Sequence, residues 1–258
     1  MPLTTAEWHA RFTVQARWTR DLRAYLFYKA GLPAARQILD VGCGTGVLET
    51  ELAQQFSGVL AAIDFDPAML DIAQSQNASL PRRALYTQAD ASRLPFPDDN
   101  FDISFCHYLL LWIRQPLHVM GEMLRVTTPG GKILALAEPD YGGRIDFPDR
   151  FKQLNELQEA SLHSQGADPH FGRKLARLFT QAGLSEVEVG VLGGQWITAD
   201  QLIDWDSEWQ VIASDLEEDI TGEELESLRQ LDLDSRLRKE RIAYVPTFYA
   251  MGTVTPLY

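Results

Sequence analysis

The stretch ILDVGCGTG, residues 38–46, combines a short apolar run with one carboxylate and three glycines. Gly42, Gly44 and Gly46 carry no side chain, so a loop built from them turns tightly and lets a ligand approach its main-chain N–H groups. The apolar run before the loop is typical of a buried strand, and the residues after it are typical of a helix. The loop therefore predicts a binding site for a ligand that lies against bare backbone, although a purely structural tight turn is the alternative for such a loop alone.

Polar groups also follow the next two predicted strands. Asp64 ends the second strand in AIDFDP, and Asp90 follows the third in TQADASRLPF. Ligands of a parallel sheet bind beyond the carboxyl ends of its strands, where a carboxylate can accept from both hydroxyls of a ribose. We therefore predict a ribose contact for Asp64 and a contact with an exocyclic adenine amine for Asp90. Capping of a strand end is the alternative for either residue alone, but three such strand ends in succession favour a nucleoside.

The spacing of the glycines bears on the cofactor. The pattern is G-x-G-x-G followed by Val47, so the G-x-G-x-x-G fingerprint of dinucleotide-binding proteins is absent. This difference disfavours a nicotinamide-dependent oxidoreductase.

With these residues in place, the chain resembles the class I S-adenosylmethionine-dependent methyltransferases, most of all the small-molecule branch that includes quinone-biosynthesis enzymes. The matching motifs are LDVGCGTG, IDFDPAML, ADASRLPFPDDNFDISFCHYLLLWI and EMLRVTTPGGKILALAEP, with GRKLARLFTQAGLSEVEV beyond them. The resemblance implies an α/β fold with a doubly wound, mainly parallel seven-stranded sheet. That sheet would end in an antiparallel hairpin of SEVEVGVLG and PTFYAMGTV, and helices would cover the substrate side.

The resemblance also implies S-adenosyl-L-methionine as cofactor, with S-adenosyl-L-homocysteine as product. In that comparison the glycine loop borders the methionine part, Asp64 holds the ribose, Phe65 and Met69 pack near adenine, and the residues after FDISFC lie near the sulfonium. The residues expected to contact the cofactor are Arg17, Asp40, Gly42, Cys43, Gly44, Gly46, Asp64, Phe65, Met69, Asp90, Ala91, Cys106 and His107.

Candidate catalytic residues follow the fourth and fifth predicted strands. His107 comes after FDISFC, and Asp140 and Tyr141 come after LALAEP. A histidine titrates near neutrality and suits a general base, but a structural histidine at a strand end is the alternative. For Asp140 the alternative is the capping of a turn. In-line methyl transfer depends mainly on placement, so a dedicated base is optional.

The elements around these residues predict one domain over residues 1–258. Residues 1–31 are expected to form a helical cover, residues 36–140 the cofactor-binding core, and residues 141–183 and 196–240 helical inserts on the substrate side. In the cover, Arg17 or Arg20 is placed to pair with the carboxylate of the cofactor, with a solvated helix face as the alternative. The cover and the inserts hold aromatic residues that either pack or line an apolar pocket: Trp8, Phe12, Trp18, Trp196, Trp205 and Trp209.

Composition limits the partners. The formal net charge is -13, and the stretch from Leu178 to Leu228 contains no Lys or Arg. Such a surface repels phosphate groups, so we expect neither nucleic acid nor membrane as partner, while the resemblance implies a small-molecule acceptor. For the acidic stretch itself, a solvated face and the attraction of a cationic substrate are the two alternatives. The sequence has 2 Cys and no metal-ligand spacing, no long apolar run and no leader pattern, which predicts a metal-free cytoplasmic protein, monomeric or homodimeric. The functional alternatives are a non-catalytic cofactor-binding or regulatory protein of this fold and a protein methyltransferase.

Overall fold

The computed structural model describes residues 4–80, 83–193, 202–203, 205–216 and 220–255. The strands are β1 (Gln37–Val41), β2 (Val59–Asp64), β3 (Leu85–Gln88), β4 (Phe101–Cys106), β5 (Thr127–Pro139), β6 (Ile145–Phe147), β7 (Ser185–Val191), β8 (Ile242–Tyr244) and β9 (Thr247–Thr253). The helices are α1 (Thr5–Trp18), α2 (Arg20–Lys29), α3 (Val47–Gln55), α4 (Pro67–Asn77), α5 (Pro116–Val126), α6 (Phe151–Ser164), α7 (Leu175–Gln181), α8 (Trp205–Asp215) and α9 (Gly222–Leu237). Short 3-10 turns lie at residues 32–34, 110–112, 141–143 and 172–174.

The main sheet has seven strands in the order β3-β2-β1-β4-β5-β9-β7. Strands β1 to β5 pair in parallel, and β9 lies antiparallel between β5 and β7. The predicted seven-stranded sheet and its antiparallel hairpin are thus confirmed. The strand order reverses between β1 and β4, and the crevice above such a point is where sheets of this kind bind ligands.

Both faces of the sheet are covered because the strands carry apolar residues on both sides. Ile38 of β1 belongs to an apolar cluster that contains Leu26 and Phe27 of α2 and the buried side of α3. Its neighbour Leu39 belongs to a second cluster with α5 and α7 on the opposite face. This arrangement is the doubly wound packing that alternating strands and helices predict.

The helical inserts differ from the prediction in detail. A two-stranded antiparallel ribbon of β6 and β8 was not predicted, because strands of three residues give no readable alternation. In the predicted insert 141–183, a 3-10 turn at residues 172–174 precedes α7, and Gly183 follows α7 with a φ of +83°. In the predicted insert 196–240, α8 begins at Trp205; residues 194–201, with Trp196, lie outside the described residues.

The insert helices have a small apolar cluster of their own. Phe151 and Leu154 of α6 pack with Trp209 and Leu216 from α8 and its end, and with Leu228 of α9. Whether the whole chain behaves as one domain stays a prediction. In the described part of the chain, no helix has the length and apolar character needed to cross a membrane.

Candidate active site

The glycine loop lies between β1 and α3 and is fastened to β2. The N–H groups of Gly42 and Cys43 both donate to the carbonyl oxygen of Ile63, at 2.8 and 2.9 Å. Gly42, Gly44 and Gly46 all have positive φ, the left-handed region that glycine enters without strain. At Gly46 a Cβ atom would also lie 2.6 Å from Nδ2 of Asn77 and 2.9 Å from the Tyr86 hydroxyl. The backbone therefore stays bare here for two reasons, conformation and space.

Asp64 stands at the end of β2 and organises the same loop. Its Oδ2 accepts from the N–H of Gly44 at 2.8 Å, and its Oδ1 accepts from the N–H of Asp66 at 2.9 Å. Each carboxylate oxygen has a second lone pair, so the side chain retains acceptor capacity for the two hydroxyls of a ribose. Its position fits the predicted ribose contact.

The expected adenine side lies next to Asp64. Phe65 is 74% exposed, which is unusual for a large aromatic side chain. Met69 is half-buried beside it on α4. Asp90 is exposed and accepts from the N–H of Ser92 at 2.7 Å, and the hydrogen bonds from Ser92 lower the pKa of its carboxyl. Ala91 packs against the main core. An open aromatic face beside an ionised carboxylate fits a planar base with an exocyclic amine.

A buried pair of carboxyl groups lies on the methionine side of the loop. Asp40 and Glu49 are 2% and 1% exposed, and no donor outside the pair in the described part of the chain reaches Oδ1 of Asp40 or either carboxyl oxygen of Glu49. Burial, together with the charge of Glu49, raises the pKa of Asp40 well above its usual value; burial raises the pKa of Glu49 to about 7. Because the pair holds a proton at neutral pH, Asp40 and Glu49 hydrogen-bond each other. A buried acid pair next to the glycine loop, with no cation hydrogen-bonded to these three oxygens among the described residues, fits the α-ammonium group of S-adenosylmethionine. Asp40 was predicted from the sequence as a cofactor contact, and Glu49 was not.

Helices α1 and α2 close over the glycine loop. His9 Nδ1 lies 2.8 Å from Oγ1 of Thr45, and the ring of Phe12 would lie 3.1 Å from a Cβ atom on Gly44. Arg23 of α2 is fully buried and donates to the main chain of α1, to Thr19 and to the Glu51 carboxylate. The arginine that the fold brings inward is therefore Arg23.

Arg17, the arginine that we predicted for the cofactor carboxylate, is exposed on α1. A contact with the cofactor stays a prediction for this residue. The pattern of apolar residues in α1 and α2 gave no signal that Arg23 would be the buried one.

His107 follows β4 beneath this cover. Its Nε2 lies 3.0 Å from Oγ1 of Thr19, and its ring meets that of Tyr108 edge-on with centroids 4.7 Å apart. Burial, and next the charge of Arg23, hold the pKa of His107 well below its usual value. The imidazole is therefore neutral at neutral pH. Burial also raises the pKa of the thiols of Cys43 and Cys106, which keeps both sulfurs protonated.

Glu138 fixes the segment after His107. It is fully buried at the end of β5, and its two oxygens accept from the N–H groups of Leu109, Leu110 and Leu111 at 3.1, 2.8 and 3.1 Å. Burial raises its pKa to about 8, against the effect of these three bonds. The sequence analysis did not single out Glu138, because an acid at a strand end has no pattern that reveals what it accepts from.

A cavity of about 660 Å³, which we call the acceptor cavity, extends from the carboxyl ends of the strands to the inserts. Its inner end is lined by Tyr108, Pro139, Tyr141 and Thr247, which follow or end β4, β5 and β9. The remaining lining residues are Arg11, Val14, Gln15, Trp18, Asp21, Leu22, Arg144, Gln158, Leu192, Gly193, Ser207, Glu208, Val211, Ile212, Arg236, Arg241, Ala243, Tyr244 and Val245. The acceptor cavity is therefore built by α1, α2 and the inserts.

The three predicted catalytic residues take different places. Tyr141 lines the acceptor cavity, and His107 lies against Tyr108, which also lines it. Asp140 is 2% exposed and does not line the cavity. Both of its oxygens are bound by the guanidinium of Arg173, with Nη2 2.6 Å from Oδ1. Arg173 thus occupies both oxygens of Asp140, and a catalytic role for Asp140 stays a prediction.

Three arginines and three carboxylates form what we call the insert network. Its members are Arg144, Asp146, Glu208, Asp232, Arg236 and Arg241. Asp232 is its centre, with Nε of Arg241 at 2.6 Å from Oδ1 and Nε of Arg236 at 2.8 Å from Oδ2. The indole N–H groups of Trp205 and Trp209 also donate to Oδ2, at 2.8 and 3.1 Å. These two tryptophans are four residues apart on α8 and pack in the apolar cluster of the inserts, which is the packing alternative, and neither lines the acceptor cavity.

No group of three or more His, Cys, Asp or Glu residues among those that the structure describes could hold a metal ion. The residues gathered at the strand ends are thus a glycine loop, an acid that ends β2, a buried acid pair and an open aromatic face. Their donors and acceptors suit an adenosine with a positively charged amino acid tail.

Comparison with known proteins agrees with this geometry. A family model described as a methyltransferase domain matches residues 39–135. A demethylmenaquinone methyltransferase from Lysinibacillus sphaericus is 31% identical over 204 residues, which cover 71% of this chain and 82% of that protein.

Two solved structures share the fold. A geranyl diphosphate C-methyltransferase from Streptomyces coelicolor A3(2), in complex with Mg2+, geranyl diphosphate and S-adenosyl-L-homocysteine, has a TM-score of 0.59 at 14% identity, over 92% of this chain and 79% of that chain. Phosphoethanolamine N-methyltransferase 2 from Haemonchus contortus, in complex with S-adenosyl-L-methionine, has a TM-score of 0.56 at 16% identity. The match covers 86% of this chain and 49% of that protein, so this chain spans about half the length of that protein. With the sheet order and the glycine loop, these similarities show that the chain belongs to the class I S-adenosylmethionine-dependent methyltransferases and uses S-adenosyl-L-methionine as its methyl donor.

Proposed function

We propose that the acceptor of the methyl group is a small molecule bound in the acceptor cavity. One observation carries this proposal: the acceptor cavity is lined by Tyr108 and Tyr141, which come two residues after the ends of β4 and β5, at the sheet edge where the cofactor is expected. A volume of about 660 Å³ lies in the range of sites for small molecules, which is about 300 to 1,000 Å³. The acidic surface supports the same choice over a nucleic acid.

The cofactor supplies a methyl group on a positively charged sulfur, so the chain has to align an acceptor atom with that group and exclude water. Positioning of this kind contributes roughly 7 to 11 kcal/mol in well-oriented reactions. Val14 of α1, Leu22 of α2 and Val211 of α8 line the cavity with apolar groups. These side chains exclude water from the acceptor.

Three titratable side chains near the inner end, His107, Tyr108 and Tyr141, are neutral. His107 adds no positive charge where the sulfonium is expected, because its pKa is well below its usual value. Burial raises the pKa of the Tyr108 and Tyr141 hydroxyls, so both stay protonated and can donate to an acceptor oxygen. We keep His107 as a candidate base for acceptors that lose a proton, because its imidazole is neutral. Its lowered pKa makes it a weaker base than an ordinary histidine, and it adjoins the cavity through its neighbour Tyr108.

The acceptor atom is a separate question. The relatives named above methylate different kinds of molecule according to their names, so similarity does not choose among oxygen, nitrogen and carbon. A protein substrate is the weaker alternative, because the lining of the cavity comes from several elements that surround it. The cytoplasmic location and the monomeric or homodimeric state stay predictions.

The test is direct. Purified protein is incubated with S-adenosyl-L-methionine that carries a labelled methyl group and with a panel of phenols, amines and carboxylic acids, and methylated products are identified by mass spectrometry. We expect turnover with at least one member and its loss when Val211→Trp fills the cavity. Tight binding of the cofactor in calorimetry without turnover on any member would instead favour the non-catalytic alternative.

A further inference from the structure

The acceptor cavity contains four arginines, but three of them are already neutralised. Arg144, Arg236 and Arg241 belong to the insert network, where Asp146, Asp232 and Glu208 supply three opposing charges. All three of these arginines are mostly buried, with 5 to 14% of each side chain exposed. The charges of the insert network therefore balance, and its role at the cavity is structural.

Arg11 of α1 is different. Arg11 lines the cavity, its side chain is 16% exposed, and its guanidinium makes no hydrogen bond to any other residue within the described ranges. Its contacts are the face of the Trp8 ring, 4.9 Å from the guanidinium carbon, and the Asp215 carboxylate, with Nη1 3.8 Å from Oδ1. That last separation is too long for a hydrogen bond. The N–H donors of this guanidinium therefore have no hydrogen-bond acceptor among the described residues.

The carboxylate nearest to Arg11 compensates it weakly. Asp215 is partly buried, with 15% of its side chain exposed, and burial raises its pKa while the charge of Arg11 lowers it. Asp21 also lines the cavity, but it lies on α2 at the exposed rim. No carboxylate among the described residues thus holds the Arg11 guanidinium in a close pair.

Tyr141 completes the arrangement. It lines the cavity at its inner end, next to the expected methyl donor, and the charges of Arg11 and Arg144 both act on its hydroxyl against the effect of burial. Tyr141 and Arg11 thus both line the cavity, and they are close enough for the charge of Arg11 to lower the pKa of the Tyr141 hydroxyl. Together they can bind an oxygen that carries negative charge, through charge-assisted hydrogen bonds.

We propose that Arg11 and Tyr141 form an anion-binding corner and that the methyl acceptor carries an anionic oxygen, in a carboxylate or an ionised hydroxyl group, that this corner holds. This inference rests on the proposed function, because it assigns the acceptor to the same cavity. It goes further in that it names the charge of the acceptor and the side chain that selects it. A corner of this kind would also reject neutral analogues, since they leave the guanidinium without a partner.

The probes are 4-hydroxybenzoate and 4-hydroxybenzamide, which have nearly the same shape and differ in charge. Their affinities are measured by calorimetry with the protein saturated with S-adenosyl-L-homocysteine, so that only the acceptor side is open. We expect the carboxylate to bind about tenfold more tightly or better, as charge-assisted hydrogen bonds do. Arg11→Gln should abolish this preference, and Arg11→Lys should retain part of it because it keeps the charge and loses the fork.

Arg177→Gln is the matched control, because Arg177 is an exposed helical arginine outside the acceptor cavity. This variant should keep the preference, and all variants should keep their affinity for S-adenosyl-L-homocysteine. Equal affinities, a preference that survives Arg11→Gln, or no binding of either probe at millimolar concentration would each overturn the proposal. If the wild type methylated a neutral acceptor as fast as its anionic analogue, this proposal would be overturned while the proposed function stayed intact.

Discussion

At the scale of single residues, we expect the loss of the Asp64 side chain to weaken cofactor binding directly. It accepts from two main-chain N–H groups, those of Gly44 and Asp66, and retains lone pairs for a ribose. We expect Asp64→Ala to weaken the binding of S-adenosyl-L-homocysteine by about 1 to 3 kcal/mol, the usual range for hydrogen bonds to charged groups. Calorimetry checks this value against Asp71→Ala, which removes an exposed carboxylate from α4. Equal affinities of the two variants would remove Asp64 from the ribose role.

Glu49 gives a prediction about pH. Its pKa in the folded protein is raised to about 7 by burial, above the ordinary value of 4.5, so the folded state holds a proton that the unfolded state releases earlier. This proton stabilises the protein fully below pH 4.5, and the contribution is lost as the pH rises through about 7. The loss is on the order of 3 kcal/mol at most. Urea unfolding of cofactor-free protein between pH 5 and pH 8.5 should therefore show a steeper decline for the wild type than for Glu49→Gln.

The same experiment has an internal control. Glu226→Gln removes an exposed carboxylate, 67% accessible, and should keep the slope of the wild type. A saturating concentration of S-adenosyl-L-methionine should flatten the wild-type curve, because its ammonium group stabilises the ionised pair of Asp40 and Glu49. Parallel curves for the wild type and Glu49→Gln would show that Glu49 does not hold the proton.

The site residues that could be predicted from the sequence differ in one respect from those that could not. Asp40 and Asp64 follow apolar runs, so their position at the edge of the sheet was readable. Glu49 and Arg23 lie on helices among apolar neighbours, and only the packing of α2 and α3 shows that they point inward. A single charged residue on a helix is usually solvated, so its burial cannot be predicted without knowing what faces it.

At the scale of elements, the core was predictable because its strands are buried on both faces and read as continuous apolar runs. The ribbon of β6 and β8 was not, since its partners are short and far apart in the chain. Residues 145–147 pair with residues 242–244, and Arg241 donates from there to Asp146 at 2.8 Å. Such a pairing is decided by side chains of the insert network rather than by local pattern.

Two glycines allow a controlled test of the loop. Gly46 and Gly130 have φ values of +77° and +82°, so an alanine is strained at either position. A Cβ atom on Gly46 would meet Asn77, Ala73 and Tyr86 within 2.9 Å, whereas nothing lies within 4 Å of one on Gly130. We expect Gly130→Ala to lower the free energy of unfolding by about 1 kcal/mol, and Gly46→Ala to lower it by about 1 to 3 kcal/mol more, the usual cost of overpacking. Urea unfolding measures both.

Gly46→Ala should also weaken cofactor binding, because the loop must shift to make room. Gly130→Ala should not, since that residue lies outside the cofactor site in β5. If both variants lost the same free energy of unfolding, conformation alone would account for the glycine at position 46.

At the scale of the whole molecule, the cofactor side and the acceptor side come from different parts of the chain. The strand ends and loops between residues 40 and 107 hold the expected cofactor contacts, while residues 141–245 and α1 build most of the acceptor cavity. Helix α1 belongs to both, since His9 and Phe12 face the glycine loop and Arg11 faces the cavity. This division explains why the motifs predicted the cofactor and not the acceptor: the former binds to the sheet, and the latter binds to inserts that follow no shared pattern.

The division also predicts that the insert network can be damaged without loss of cofactor binding. Asp232 is 2% exposed and holds Arg236 and Arg241, so Asp232→Ala leaves two buried guanidinium groups without their central partner. We expect the free energy of unfolding to fall by about 3 to 5 kcal/mol, as when one member of a buried pair is removed. Asp206→Ala, which removes a carboxylate that is 75% exposed and paired with Arg229, should cost about 1 kcal/mol or less. At a temperature where both variants remain folded, calorimetry should give an unchanged affinity for S-adenosyl-L-homocysteine. If Asp232→Ala instead lost cofactor affinity along with its stability, the cofactor side and the acceptor side would fold and bind as one unit.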